Sequence, residues 1–392
     1  HCVTRRQRQM CIRDSNENLI KLRQEFHQTP ELGFHEHETK KKLSRILGEI
    51  GVEVHEGSGI VGVLKNGQSN RMIGLRADID ALPILETSEH GYVSKMAGAM
   101  HACGHDGHMT MLLGAAQKLK ENPSFDGTVI FIFQPNEEHG LGAKAMIKEK
   151  FFEKFPIDEV YAIHNLPGAP VGQLSTRSGL ICSSESLFEI KITGQGGHAA
   201  MPHVNKDAII VGAEILQSLQ TIVSRKLPPV SGAVVSVTEF FTDGQRNVLA
   251  GQVTLKGDVR ARSQQDRDQI KIFIQKICKG IELSHDIRVE FKFDTQFVET
   301  INAIEPVKAV IRVSEGLELE TIPNREPMSF SEDFAHFSKA VPGCFLLLGN
   351  GVDDNNGRPL HSSDYDFNDQ LLPIGVDFWA ALVRDRLPKN KD

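Results

Sequence analysis

No stretch of this 392-residue sequence approaches the roughly eighteen uninterrupted apolar residues that a membrane-spanning helix needs. A basic excess is also missing: the net charge is −7, with no Lys/Arg stripe of the kind that tracks a phosphate backbone. Neither a membrane nor a nucleic acid is therefore an expected partner. Cysteine is scarce, six in all, and Cys103, Cys182, Cys278 and Cys344 show no paired spacing. A disulfide framework is not expected, and a reducing cytoplasm is the simplest location. The phosphate-cradling GxxxxGKS/T turn and the GxSxG nucleophile elbow are both absent. The glycines of GQGGH (194–198) do not open a helix after a strand, as a dinucleotide-binding turn requires. There is no internal repeat and no low-complexity tract.

What the sequence does contain points to a two-domain α/β protein. Its length exceeds what one core usually serves. Residues 1–14 (HCVTRRQRQMCIRD) are basic and lack the apolar core of a secretory signal, and they are set aside as a non-native leader. Helical spacing starts at Asn16 and runs to about Ile50, broken at Thr29-Pro30. Strands are then expected at Ile60–Leu64, Met72–Ala77, Thr128–Phe133 and Glu159–Ile163, with helices at His105–Lys120 and Ala143–Lys150. This alternation predicts a sheet with helices on its faces. From about residue 180 the order becomes β-α-β-β-α-β, a split βαβ unit of the ferredoxin-like kind, closing at Ile287–Phe293. The expected organisation is a catalytic α/β domain of mixed-sheet type (15–179 and 298–392) interrupted by a smaller α+β domain (180–297).

The chemistry-bearing residues fall at expected strand ends and in the turns after them, where open α/β sheets build their sites. RADIDALP (76–83) follows one strand, and only one of Asp78 and Asp80 is expected to face a site; the alternative is a salt-bridge pair with Arg76. HACGHDGH (101–108) gathers three His, one Cys and one Asp before a helix. Cys103 and His105 are donors suited to borderline divalent ions, and a nearby cation stabilises the thiolate. QPNEE (134–138) ends another strand with two adjacent carboxylates, Glu137 and Glu138. They repel one another unless a cation or proton relieves them. His164 ends the next expected strand, and His361 lies in a late turn.

Taken in order, RADIDALP, HACGHDGH, QPNEE, IHNLP, GQGGHAAMPH, RNVLAG, SEDFA and LHSSDYDF resemble the M20 metallopeptidase family from about residue 16 to 385. Within it the chain is similar to the amidohydrolase subfamily, which includes hippurate hydrolases, N-acyl-amino-acid deacetylases and auxin-conjugate hydrolases. The resemblance implies two divalent metal ions (Mn, Zn, Co or Ni) held by Cys103, His105, Glu138, His164 and His361, with the Cys103 thiolate bridging them. It implies Glu137 as general base and Asp80 as a carboxylate that orients the ligands. The interrupting domain corresponds to a lid through which such enzymes form homodimers. In it His198 matches a residue that reaches substrate in the partner subunit's site, and Asn247 and Arg260 match a pair that holds the substrate carboxylate. The alternatives are that His198 caps a glycine turn and that Arg260 is a strand-surface charge. Two positions depart from the pattern: Asn136 stands where the family often has a small residue, and His139 follows the Glu pair.

The implied reaction is hydrolysis of the amide bond of a small-molecule N-acyl amino acid. Dipeptide cleavage by the same metal chemistry, and a non-catalytic small-molecule binder on the same fold, are the alternatives.

Overall fold

The computed structural model describes residues 5–353 and 355–389. The described chain divides into two compact units, and the second, Cys182–Thr300 with Pro327–Glu332, interrupts the first.

The first unit is built on an eight-stranded mixed sheet. Its order is Glu53–Glu56, Ile60–Asn66, Gly127–Gln134, Met72–Asp78, Glu159–Pro167, Gly343–Gly351, Leu174–Ser175 and Thr321–Ile322. The four strands at its centre run parallel, Gly127–Gln134 beside Met72–Asp78 beside Glu159–Pro167 beside Gly343–Gly351. Every residue of Gly127–Gln134 and of Gly343–Gly351 is buried, as expected of parallel strands covered on both faces. Helices His105–Glu121, Leu371–Arg386 and Arg5–His27 pack together over the sheet, and Ile304–Gly316 packs on the Gly343–Gly351 strand. His105–Glu121 is buried through most of its length, including Met109, Leu112, Ala115 and Leu119, because it lies between the sheet and the two other helices.

The expected strands are present with longer ends. Glu159–Pro167 runs past His164, so that residue lies inside the strand and not at its end. The first helix begins at Arg5 and runs through most of the segment set aside as a leader, whose residues 1–4 lie outside the described residues. The strand Glu53–Glu56 was not expected: its sequence EVHE is mostly exposed and has no apolar run.

The second unit carries the β-α-β-β-α-β order as a four-stranded antiparallel sheet, Val234–Thr242, Gln252–Ala261, Ser184–Thr193 and Arg288–Phe297. Burial alternates along Ser184–Thr193 and Gln252–Ala261, so one face of this sheet packs and the other does not. The packed face meets helices Ala208–Thr221 and Gln264–His285, through Ile190, Ile192, Val211, Ile215, Leu255, Ile270 and Ile274 among others. Each helix starts on a side-chain cap. Asp207 accepts from the Ile209 amide and Ser263 from the Asp266 amide.

Candidate metal centre and active site

Because the central strands are parallel, their carboxyl ends share one edge of the sheet. The turn after Met72–Asp78 carries Asp80, the turn after Gly127–Gln134 carries Glu137 and Glu138, and Glu159–Pro167 presents His164. Cys103 precedes the buried helix that His105 opens. Its cap, Gly104, has φ +86°, and a Cβ there would fall 2.4 Å from Asn165 Oδ1 and 2.6 Å from Tyr365 Oη. The left-handed turn and the close approach both require glycine at this position.

Six of the sequence-predicted residues converge: Cys103, His105, Glu137, Glu138, His164 and His361. Cys103 Sγ lies 3.4 Å from His164 Nε2. Cys103 also groups with Glu138 and His361, and His105 with Glu137 and Glu138, each set offering donor atoms within 4.8 Å of one another. Glu138 Oε2 is 3.4 Å from His361 Nε2, and Glu138 Oε1 is 3.8 Å from His105 Nε2. His361 is held at φ 66°, with its amide donating to the Ala102 carbonyl (2.8 Å). Asp80 steers two of these groups: its carbonyl faces His105 Nδ1 at 2.9 Å, and its Oδ2 accepts from the Glu138 amide (3.1 Å). Glu137 is buried beside them, and its Oε1 accepts from the Asp333 amide (3.1 Å). Asp333 itself is fixed by Gln134 Nε2 and the Ala143 amide, both donating to its Oδ2.

The expectation that only one of Asp78 and Asp80 faces the site is overturned. Residues two apart on an extended strand share a face. Asp78 Oδ2 lies 3.8 Å from His105 Nε2, and Asp80 Oδ1 lies 3.3 Å from His105 Nδ1. Asp78 also makes the buried pair with Arg76 (2.7 Å) that the sequence offered as its alternative role. Burial works against its charge, but His105, His108 and Arg76 together hold Asp78 well below the usual carboxylate range. His108 was counted in the HACGHDGH cluster, yet both its nitrogens are engaged. Nδ1 meets Asp78 Oδ1 at 2.6 Å, and Nε2 accepts from the Asn165 amide (3.0 Å). Its place is in the scaffold under His164 and His105, as are Asn165 and Tyr365, which the sequence did not single out.

The residues fit divalent metal ions. His105 Nε2 and Glu138 Oε1 are buried with no hydrogen-bond partner, yet they face the same space. Buried polar atoms of this kind need a partner, and a cation supplies it to a carboxylate and an imidazole lone pair at once. Although burial opposes a charged imidazole, Asp78, Asp80 and Glu138 raise His105 to about 10, so this space attracts positive charge. Burial and the neighbouring His108 push His164 the other way, well below its ordinary value. Its Nδ1 is turned to the Asn165 carbonyl at 2.7 Å, which leaves the Nε2 lone pair facing Cys103.

The second unit holds the remaining predicted residues. His198 and Asn247 are exposed neighbours, linked by the Ala199 amide donating to the Asn247 carbonyl (3.1 Å). His198 Nδ1 accepts from the Ala200 amide (3.1 Å), the turn-capping contact, which leaves the proton on Nε2. Arg260 is engaged by Asp258 (2.9 Å), Glu185 (2.8 Å) and Ser331 (3.0 Å). Among the described residues no hydrogen bond or ion pair ties it to His198 or Asn247.

The sequence model of peptidase family M20/M25/M40 matches residues 74–385. This chain belongs to that family. The M20 chain is 39% identical to the hippurate hydrolase of Campylobacter jejuni over 377 residues, covering 95% of this chain and 97% of that protein. It is 36% identical to the N-acetyldiaminopimelate deacetylase of Oceanobacillus iheyensis, covering 93% and 98%. Among solved structures it is similar to the Bacillus subtilis YXEP protein, a dinuclear metal-binding peptidase of family M20. That match has a TM-score of 0.83 at 29% identity and covers 96% of this chain and 99% of that one. The M20 chain is a metal-dependent amidohydrolase with an α/β catalytic fold. No helix among its described residues is long and apolar enough to cross a membrane.

Proposed function

We propose that this chain hydrolyses the amide bond of N-acyl amino acids, releasing a carboxylic acid and an amino acid. One observation carries the reading: the unpartnered atoms His105 Nε2 and Glu138 Oε1 lie in a buried space with the Glu137 carboxylate beside them. The names of the relatives support this substrate class, since hippurate and N-acetyldiaminopimelate are both N-acyl amino acids. In this reading Cys103, His105, Glu138, His164 and His361 would hold two divalent ions, with the Cys103 thiolate among the ligands. Bound there, the ions supply Lewis acidity to the amide carbonyl and to the attacking water.

The chain's own residues do the rest. Glu137, anchored through one oxygen by the Asp333 amide, takes the water's proton on attack and passes it to the departing amine. Asp80 fixes His105 and Glu138, so the ligands need no rearrangement when the reaction starts. His198 donates from Nε2 to the developing oxyanion, and Asn247 and Arg260 bind the substrate carboxylate. For Arg260 that requires sharing the guanidinium with Asp258 and Glu185. We place the enzyme in the cytoplasm and assemble it as a homodimer through the second unit.

The test is a panel of N-acetyl and N-benzoyl amino acids alongside free dipeptides, assayed on protein loaded with Mn, Zn, Co or Ni and repeated with chelator. Chelator-sensitive cleavage of the acyl amides is expected. Glu137→Gln should keep its metal content and lose about 10²–10⁴-fold in turnover. Full turnover in that variant would remove Glu137 from the proton-transfer role. Preferential cleavage of the dipeptides would move the substrate class.

A further inference from the structure

A second group of ligand-type side chains lies outside this site, in the first unit. His27 closes the first helix, and Glu86 and His90 lie in the long segment before HACGHDGH. One donor atom from each falls within 4.8 Å of the others. Glu86 Oε1 is the hub, 3.2 Å from His27 Nε2 and 3.1 Å from His90 Nε2. These separations match the edge of a zinc tetrahedron, which bonds of 2.0–2.1 Å to nitrogen and oxygen set at about 3.3 Å.

Each group is also oriented for coordination. His27 Nδ1 faces Asp106 Oδ2 at 2.8 Å, the carboxylate–histidine arrangement that directs the opposite nitrogen at a metal. Glu86 Oε2 is taken by the Ser94 amide (2.6 Å), which leaves Oε1 to the two imidazoles. His90 is stacked on Tyr92, with centroids 3.8 Å apart and planes at 17°, and Arg23 covers Tyr92 at 4.5 Å. The His90 ring is thus fixed in plane, while neither of its nitrogens meets hydrogen-bond geometry. His90 also borders a surface cavity of about 650 Å³, which gives an ion a path in and leaves room for a water as fourth ligand.

We propose that His27, Glu86 and His90 form a mononuclear site for a borderline divalent ion of the Zn²⁺ type, separate from the centre at Cys103. Asp106, two residues from Gly104 in the HACGHDGH stretch, supports His27 from behind. The ion fastens the end of the first helix to the segment that leads into the active-site turn.

The test counts metal. Wild-type protein and His90→Phe are dialysed to equilibrium against micromolar free Zn²⁺, and zinc per chain is measured by elemental analysis. Phenylalanine keeps the stack on Tyr92 and removes the donor, and melting curves in EDTA check that the variant folds. His90→Gln serves if it does not. The variant is expected to hold one zinc per chain fewer, and to gain less in melting temperature when zinc is added. Equal zinc contents would overturn the site. A loss of more than one ion would also overturn it, because His90 would then act on the Cys103 centre. The comparison is a difference, so it holds whatever number of ions the Cys103 centre takes and whatever its substrate is.

Discussion

Asn136 shows how one side chain can satisfy a backbone that favours glycine. Its φ is 45°, in the left-handed region, where asparagine is among the few tolerated residues with a Cβ. Its amide donates to Glu36 Oε1 (2.9 Å), and its Oδ1 accepts from His139 Nδ1 (2.7 Å). The two departures from the family pattern are therefore one hydrogen-bonded pair. The side chain lies over Gly33, where a Cβ would meet Asn136 Oδ1 at 2.0 Å. Asn136→Gly should change stability by less than about 1 kcal/mol, whereas Asn136→Val should cost about 2 kcal/mol, since a β-branched residue fits this conformation poorly. Urea unfolding of the three proteins measures this, and equal midpoints would refute it. At this scale the sequence was legible where chemistry is concentrated: Cys103, His105, Glu137 and Glu138 stand out by type and spacing. It was not legible for Arg23 and His27. They sit on a helix that reads as amphipathic, yet they are fully buried against Asp106, Asp366 and Asp369. Local periodicity carries no information about partners so distant in the chain.

At the scale of elements, the helix His37–Ile50 begins at a residue that does not cap it. Glu36 makes no side-chain cap bond, is 1% exposed, and leaves Oε2 without a partner. Burial, with the charge of Asp80 adding to it, pushes Glu36 up to about 7, against the amides that favour its anion. A carboxyl raised in the folded state stabilises the fold while it is neutral. That contribution is complete below its unfolded value of 4.5 and is lost as pH rises through about 7. The shift corresponds to about 3 kcal/mol. In metal-free protein, stability should fall across this window in the wild type and less in Glu36→Gln, followed by denaturant unfolding at several pH values. Parallel profiles would show that Glu36 is not the group responsible. Strands were legible as elements where they are largely apolar, as in Thr128–Phe133. The two-residue strands Leu174–Ser175 and Thr321–Ile322 are too short to carry a period.

For the whole molecule, the expected break near residue 180 lies beside the observed start of the second unit at Cys182. The return of Pro327–Glu332 to that unit had no signal, because it joins through backbone contacts such as the Ser183 amide to the Met328 carbonyl (3.1 Å). The second unit's sheet has Val234–Thr242 at one edge, with Val234 45% and Phe241 55% exposed. Exposed apolar edge strands template pairing with another chain, which supports the homodimer proposed above. Wild-type protein should run as a dimer in light scattering, and Phe241→Glu should shift it toward monomer. A monomeric wild type would end that proposal.

The order of the strands bears on how the chain is made. Glu159–Pro167 lies in the middle of the large sheet, and its neighbour Gly343–Gly351 is separated from it in sequence by the whole second unit. On the ribosome the N-terminal part emerges first. The strand EVYAIHNLP then waits with one side open, an apolar edge of the kind that invites wrong partners. His361 comes later still, so the donor set around Glu138 is complete only once the sheet has closed. If these residues hold metal as proposed, its uptake would follow the pairing of Glu159–Pro167 with Gly343–Gly351.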